Sequence, residues 1–301
     1  MSDLKKSLLE TFPDLEIKEQ EPMSKHTTFR VGGPAELYIT PKANQIADIV
    51  KRCQQFEMPF LIIGNGSNLL VGDLGIKGVV IEIGKNAGEI EIEQTTVKAN
   101  AGAMLSVIAK EAAEHSLTGL EFASGIPGCL GGAIVMNAGA YGGEMKQVVK
   151  KVTLLTKQGE LLEKTGDEME FSYRNSIVSK KEYIVLSVEM ELQKGNKDEI
   201  IACMKDLNNR RREKQPLEYP SAGSTFKRPE GYFAGKLIQD SGLSGYQVGG
   251  AKVSEKHCGF VINAGGATAA DIKKLMEDVG AIVKEKYGVT LEPEVKMVGQ
   301  F

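Results

Sequence analysis

Residues 124–144 read SGIPGCLGGAIVMNAGAYGGE, and between positions 125 and 143 seven of nineteen residues are glycine. Glycine in a regular element costs about 0.5–1 kcal/mol against alanine, so this density implies that something approaches the backbone closely. A flat ring system with a diphosphate lying against exposed amides meets that requirement, and tight loop packing is the plain alternative. A second glycine turn, GNGSNLL at residues 64–70, follows the apolar run FLIIG. Successive N–H groups in such a turn converge on phosphate oxygens. The turn is neither GxGxxG nor GxxxxGK(S/T), and taken alone it reads first as a tight turn whose Asn65 and Asn68 tolerate positive φ. Both turns in one chain favour a bound cofactor.

Outward from these turns, strands and helices are mixed. AELYIT reads as a strand stopped by Pro41, residues 43–56 place Ile46, Ile49, Val50 and Cys53 at helical spacing, and FLIIG is a buried strand. GVVIEIG, EIEIEQ and TVKANA are short strands, residues 104–115 a striped helix, VTLLTKQGELL a hairpin turning at Gln158 and Gly159, and YIVLSVEMEL a long strand. Ser2 is expected to cap a helix running to Phe12, with an irregular polar segment from there to His26. Beyond a helix over residues 197–214 come a loop, a short helix near Lys236, a strand at GFVIN, a helix from Thr268 to Tyr287 and a last strand VTLEPEVKM. The fold class is α+β. The expected division is a first region of residues 1–197, itself split near residue 70, and a smaller α+β domain over 198–301.

Composition narrows the function classes. With 42% apolar and 26% charged residues and a net charge of −3, the chain is neither disordered nor basic. Only Arg210, Arg211 and Arg212 form a cationic run, so nucleic acid is not an expected partner. The four cysteines, Cys53, Cys129, Cys203 and Cys258, are far apart without CxxC spacing, and three histidines are too few to complete a metal cluster with them. No signal peptide and no apolar run of about 20 residues is visible. Reduced thiols and cytoplasmic residence are expected.

Three further stretches carry reactive side chains. In YRNS, residues 173–176, Arg174 can fork onto a carboxylate, although a surface ion pair is the commoner fate of a single arginine. In SAGSTFKRP, Ser224 has no hydrolase elbow around it, yet an unactivated hydroxyl can protonate a strong base such as a carbanion; an ST-turn beside solvated Lys227 and Arg228 is the bland reading. In LEPEV, period-two alternation puts Glu292 and Glu294 on one face of the final strand, pointing either into a cleft or to solvent. His26 and Arg30 precede a Gly-Gly turn, where contact with a diphosphate competes with a solvated loop.

In order along the chain, HTTFRVGGPAE, GNGSNLL, GIPGCLGGAIVMNAGAYGGE, YRNS, AGSTFKRP, GYQVGGAKVSEKHCGFVIN and LEPEV closely resemble the UDP-N-acetylenolpyruvoylglucosamine reductase family over residues 25–298. The resemblance implies an FAD-binding fold of the vanillyl-alcohol-oxidase or para-cresol-methylhydroxylase type followed by a smaller α+β substrate-binding domain. It implies that NADPH reduces FAD and that the enolpyruvyl ether of UDP-N-acetylglucosamine enolpyruvate then takes the hydride.

By motif position the resemblance makes Arg174 the partner of the substrate carboxylate, Ser224 the proton donor and Glu294 its acidic partner. Gly64, Asn65, Gly66, Ser67 and Asn68 fall on FAD, as do Ser124, Gly125, Ile126, Pro127, Gly128, Gly132, Asn137 and Gly139. Tyr141, Tyr173, Lys214, Arg228 and Gln247 fall on substrate. Some members carry asparagine where Arg228 stands, and longer members have a segment after the YRxS motif that this chain lacks, so it is similar to the shorter form. GNGSNLL has no histidine to tether flavin, and non-covalent FAD is expected. A monomer, no metal and no membrane insertion complete the expectation. The competing readings are an FAD-dependent oxidase or dehydrogenase of the same superfamily acting on an alcohol or hydroxy acid, and a non-catalytic nucleotide-sugar binding protein.

Overall fold

A computed structural model describes residues 1–301. The chain divides into two compact units, each assembled from three segments: residues 1–18, 37–65 and 78–210 form the first, and residues 19–36, 66–77 and 211–301 the second. Residue 197, the expected boundary, starts the helix Lys197–Lys214, which runs from one unit into the other. That helix buries only Ile200, so it has no apolar stripe to commit it to a single core.

The first unit is built on a five-stranded antiparallel sheet in the order Leu161–Thr165, Val149–Leu155, Ile184–Glu191, Thr96–Asn100, Ile90–Glu93. A parallel pair, Phe60–Ile63 with Ile76–Glu82, runs in register from Phe60↔Val79 to Ile63↔Glu82. The helix Ile46–Gln55 buries Ile46, Ile49, Val50 and Cys53, the four positions its spacing predicts, and burial pushes the Cys53 thiol up to about 12. The helix Leu105–Glu114 buries Leu105, Ile108, Ala109, Ala112 and Ala113. Gly159, at φ 85°, turns the Val149–Leu155 hairpin as expected.

Two expectations near the N-terminus are corrected. Ser2 is the first residue of the helix Ser2–Thr11, with Met1 at the cap position and no side-chain capping bond. The polar segment after it contains a strand, Glu16–Pro22, at the edge of a four-stranded sheet. An edge strand leaves charged side chains in water, and that removes the apolar alternation by which strands are read.

The second unit packs the helix Ala269–Tyr287 on a three-stranded antiparallel sheet of Gln247–Val248, Ala251–Val253 and Val261–Asn263. Ile272, Leu275, Met276, Val279 and Val283 face the core as their period predicts. The Thr268 hydroxyl accepts from Asp271 N–H, while the Asp73 carboxylate accepts from Ala269 and Ala270 N–H at 2.8 and 2.9 Å. Both devices satisfy otherwise orphaned donors at the positive end of the helix. The final strand is shorter than VTLEPEVKM: only Lys296–Val298 is regular, paired parallel to Leu69–Val71.

Candidate active site

Ser224 stands on a loop stitched on both sides by backbone. Thr225, fully buried, donates its N–H to Gly259 O at 2.9 Å and accepts Glu294 N–H on its carbonyl at 2.8 Å. Its hydroxyl accepts from Val261 N–H at 2.9 Å. Lys227 N–H to Glu292 O and a bridge between Phe226 and Pro293 continue the ladder. The residue following the half-buried Ser224 is therefore joined through backbone to Glu294, a residue only 9% exposed. Glu292 does not share the face of Glu294 as alternation predicts: its side chain is 71% exposed and paired to Lys227, which holds its carboxyl below the ordinary range. Pro293 and the bridge replace regular strand geometry here, so the period-two rule does not apply.

His257 supports this loop from below. Its Nδ1 accepts Gly259 N–H at 3.1 Å, and its ring meets Phe260 edge-on at 5.0 Å between centroids. Burial lowers its pKa from 6.5. Asn68 ties the first glycine turn to the segment carrying Glu294, its Nδ2 donating to Glu294 O at 3.1 Å and its carbonyl accepting Lys296 N–H at 2.9 Å.

Arg174 belongs to the first unit, at the tip of a two-residue turn. Ser172 and Asn175 exchange both backbone hydrogen bonds, leaving Tyr173 and Arg174 between them. Arg174 is left-handed at φ 52°, a conformation costing a non-glycine residue on the order of 1 kcal/mol. Its guanidinium carbon lies 5.3 Å from the Tyr173 ring centroid. Tyr141 tips a second hairpin, Gly139–Ala140 against Gly143–Glu144, with φ 54° followed by Gly142 at 89°. That pair of positive φ values is the primed turn that suits strand twist. Tyr141 and Tyr173 are both exposed.

The two glycine turns meet within the first unit. Asn65 Nδ2 donates to Pro127 O at 2.8 Å, its N–H reaches the buried Cys129 thiol, and a Cβ on Gly64 would crowd Cys129 Cβ at 3.3 Å. Several expected cofactor contacts use their polar atoms inside the chain. Ser124 Oγ donates to Glu121 O and accepts from Asn208, while Asn137 is 2% exposed with its amide fully engaged. The N–H groups of Ile126 and Gly128 also bond locally. Gly132 is exposed, with open space where a side chain would stand. Of the remaining expected substrate contacts, Lys214 is exposed at the end of its helix, Gln247 donates to Gly249 O, and Arg228 stacks 3.9 Å from the Phe233 ring centroid.

The second unit holds one unpartnered buried hydroxyl. Thr28 Oγ1 is the one buried side-chain polar atom without a hydrogen-bond partner. Thr28 N–H reaches Gly66 O at 3.4 Å, and a Cβ on Gly66 would collide with the His26 carbonyl. The N–H groups of Gly66 and Ser67 have no acceptor within the chain. A buried donor is costly to leave unmade, so these three donors fit a phosphate-bearing group. Residue type alone does not single out Thr28. His26, by contrast, turns its ring to Glu21 at 3.0 Å.

Comparison with known proteins gives the family. Residues 215–298 match the C-terminal domain of UDP-N-acetylenolpyruvoylglucosamine reductase, and residues 35–165 match an FAD binding domain. The UDP-N-acetylenolpyruvoylglucosamine reductase of Agathobacter rectalis is 56% identical over 98% of both chains. The chain belongs to the UDP-N-acetylenolpyruvoylglucosamine reductase family. The Clostridioides difficile reductase is 53% identical over 99% of this chain and 98% of its own. The crystal structure of the Thermus caldophilus reductase superposes with a TM-score of 0.81 at 34% identity, covering 94% of this chain and 98% of that one. As a member of the family the chain is an FAD-dependent oxidoreductase.

Proposed function

We propose that this reductase converts UDP-N-acetylglucosamine enolpyruvate to UDP-N-acetylmuramate with NADPH, as a cytoplasmic monomer serving peptidoglycan synthesis and through it cell shape and division. No helix is long and apolar enough to cross a membrane. FAD, when bound, supplies the hydride chemistry between NADPH and the terminal vinyl carbon. Gly64, Asn65, Gly66, Ser67 and Asn68, residues 124–132 and Gly139 would hold it without a covalent link, with Thr28 as an added donor; Asn137, buried and with its amide bonded within the chain, is left out of that set.

Hydride gain at the terminal carbon leaves its neighbour electron-rich, with charge spread onto the attached carboxylate. A fixed cation there stabilises the developing charge, and Arg174 is assigned that place. The electron-rich carbon is a strong base, so the Ser224 hydroxyl can protonate it without prior activation. Glu294, buried on the segment bonded to Thr225, is assigned as the acidic partner of Ser224 in stabilising this intermediate. Tyr141, Tyr173, Lys214, Arg228 and Gln247 are assigned to the remainder of the substrate.

The observation that supports this reading is the ladder through Thr225, whose carbonyl accepts the backbone N–H of the buried Glu294, so that the chain next to Ser224, a serine without a hydrolase triad, is joined by backbone to that glutamate. The test is anaerobic. The purified yellow protein should bleach with NADPH and regain colour on adding the enolpyruvyl sugar. Recolouring by air alone at a comparable rate would indicate an oxidase, and absence of any turnover a binding protein.

A further inference from the structure

Ser176 occupies the N-cap position of the helix Ile177–Lys181, where a serine ordinarily accepts from its own first turn. It does not do so here. Fully buried, it donates instead to Val135 O at 2.9 Å, the last residue of the glycine-rich helix Leu130–Val135. Two residues beyond that helix end, Asn137 is left-handed at φ 43° and spends its whole amide on two other turns. Its Nδ2 donates to Glu144 Oε2 at 2.9 Å and to Ser172 O at 3.3 Å, and its Oδ1 accepts Lys146 N–H at 2.9 Å. Glu144 is the paired end of the Tyr141 hairpin, and Ser172 O is the carbonyl that closes the Arg174 turn.

We propose that Asn137 and Ser176 are positioning residues that lock the Arg174 turn and the Tyr141 hairpin to the end of the glycine-rich helix. The proposal rests on the reading of Arg174 as the carboxylate partner. Arg174 and Tyr141 both sit at positive φ, a conformation that persists only when its surroundings over-determine it. The turn supplies just two backbone bonds of its own. Asn137 adds a bond to the same Ser172 carbonyl, and Ser176 anchors the downstream side of the turn. A guanidinium displaced by about 1 Å loses on the order of 100-fold in rate, so residues that touch no substrate can control its step.

The experiment compares wild type, Asn137→Ala, Ser176→Ala, Arg174→Ala and the double variant Asn137→Ala/Arg174→Ala, all as FAD-bound protein in stopped flow. Asn137→Ala should slow reoxidation by the enolpyruvyl sugar about 10- to 100-fold, with bleaching by NADPH within about twofold of wild type and an unchanged flavin spectrum. The double variant should be no slower than Arg174→Ala alone, because a misplaced arginine and a missing one lose the same interaction. Multiplying defects, equal loss in both half-reactions, or wild-type reoxidation in Asn137→Ala would each overturn the proposal. If Asn137→Ala does not fold, Ser176→Ala, which removes one hydrogen bond, replaces it in the same cycle, and the same three results would overturn the proposal. Wild-type reoxidation in Arg174→Ala would instead remove the assigned role of Arg174, an outcome separate from all of these.

Discussion

The turn carrying Arg174 and the loop carrying Ser224 are built from different materials. Side chains of Asn137 and Ser176 brace the arginine turn, whose residue is left-handed and whose own backbone contributes one reciprocal pair of bonds. The serine loop is a rung of backbone between Gly259 and Glu294, braced directly by one buried hydroxyl, that of Thr225, with His257 Nδ1 on Gly259 N–H and Asn68 Nδ2 on Glu294 O behind the rung's two ends. Backbone rungs survive most substitutions, whereas a side-chain brace is removed by one. Defects in carboxylate binding should therefore arise from several residues around Arg174, and defects in proton delivery from Ser224 itself.

The largest effect expected is at that serine. Ser224→Ala should slow reoxidation by the enolpyruvyl sugar at least ~100-fold, the usual loss for a general acid, while reduction by NADPH stays near wild type. Stopped-flow traces of both steps check it, and equal losses would remove Ser224 from its role. The contrast sharpens at the next position. Thr225→Val keeps shape but strands the buried Val261 N–H, and should cost about 1–3 kcal/mol in urea unfolding. A smaller cost would mean that the ladder does not depend on the Thr225 hydroxyl.

Thr28 gives a smaller effect with an unusual sign. Its hydroxyl has no partner within the protein. Thr28→Val should therefore leave the apoprotein as stable as wild type or more so, yet weaken FAD binding by roughly threefold to tenfold, the equivalent of one ordinary hydrogen bond. Flavin fluorescence titration and melting with and without FAD separate the two. An apoprotein destabilised by the change would show that the hydroxyl has an internal role.

What the sequence made legible follows the physics of pattern. The helix Ala269–Tyr287 was readable because its Thr268 cap and its apolar stripe both follow the helical period. The strand Glu16–Pro22 was not, because an edge strand keeps its charges in water. Glu294 was found by motif, but its burial opposite an exposed Glu292 was not, since Pro293 breaks the alternation on which such inference depends. Asn137 was read by motif as a contact to FAD, whereas its amide is bonded within the chain. Its partners Glu144, Lys146 and Ser172 are set by three turns meeting, and neither spacing nor residue type encodes that meeting.

The two regions should also differ in acid. The arginine turn has no histidine among the partners described above, whereas the serine loop rests on His257 through Gly259. Burial lowers the folded pKa of His257 below its ordinary 6.5, so the unfolded chain takes up the proton first as pH falls. The stability this neutral ring contributes is complete above 6.5 and is lost as pH drops through the lower folded value. Protonation at Nδ1 also removes the acceptor of Gly259 N–H, whose carbonyl holds Thr225. Melting temperature should therefore decline from pH 7 toward pH 5 in wild type and decline less in His257→Gln, with NADPH bleaching affected less than reoxidation over the same range. Parallel melting curves for the two proteins would mean that His257 is protonated as readily in the fold as out of it, and the acid sensitivity of the serine loop would have to come from elsewhere.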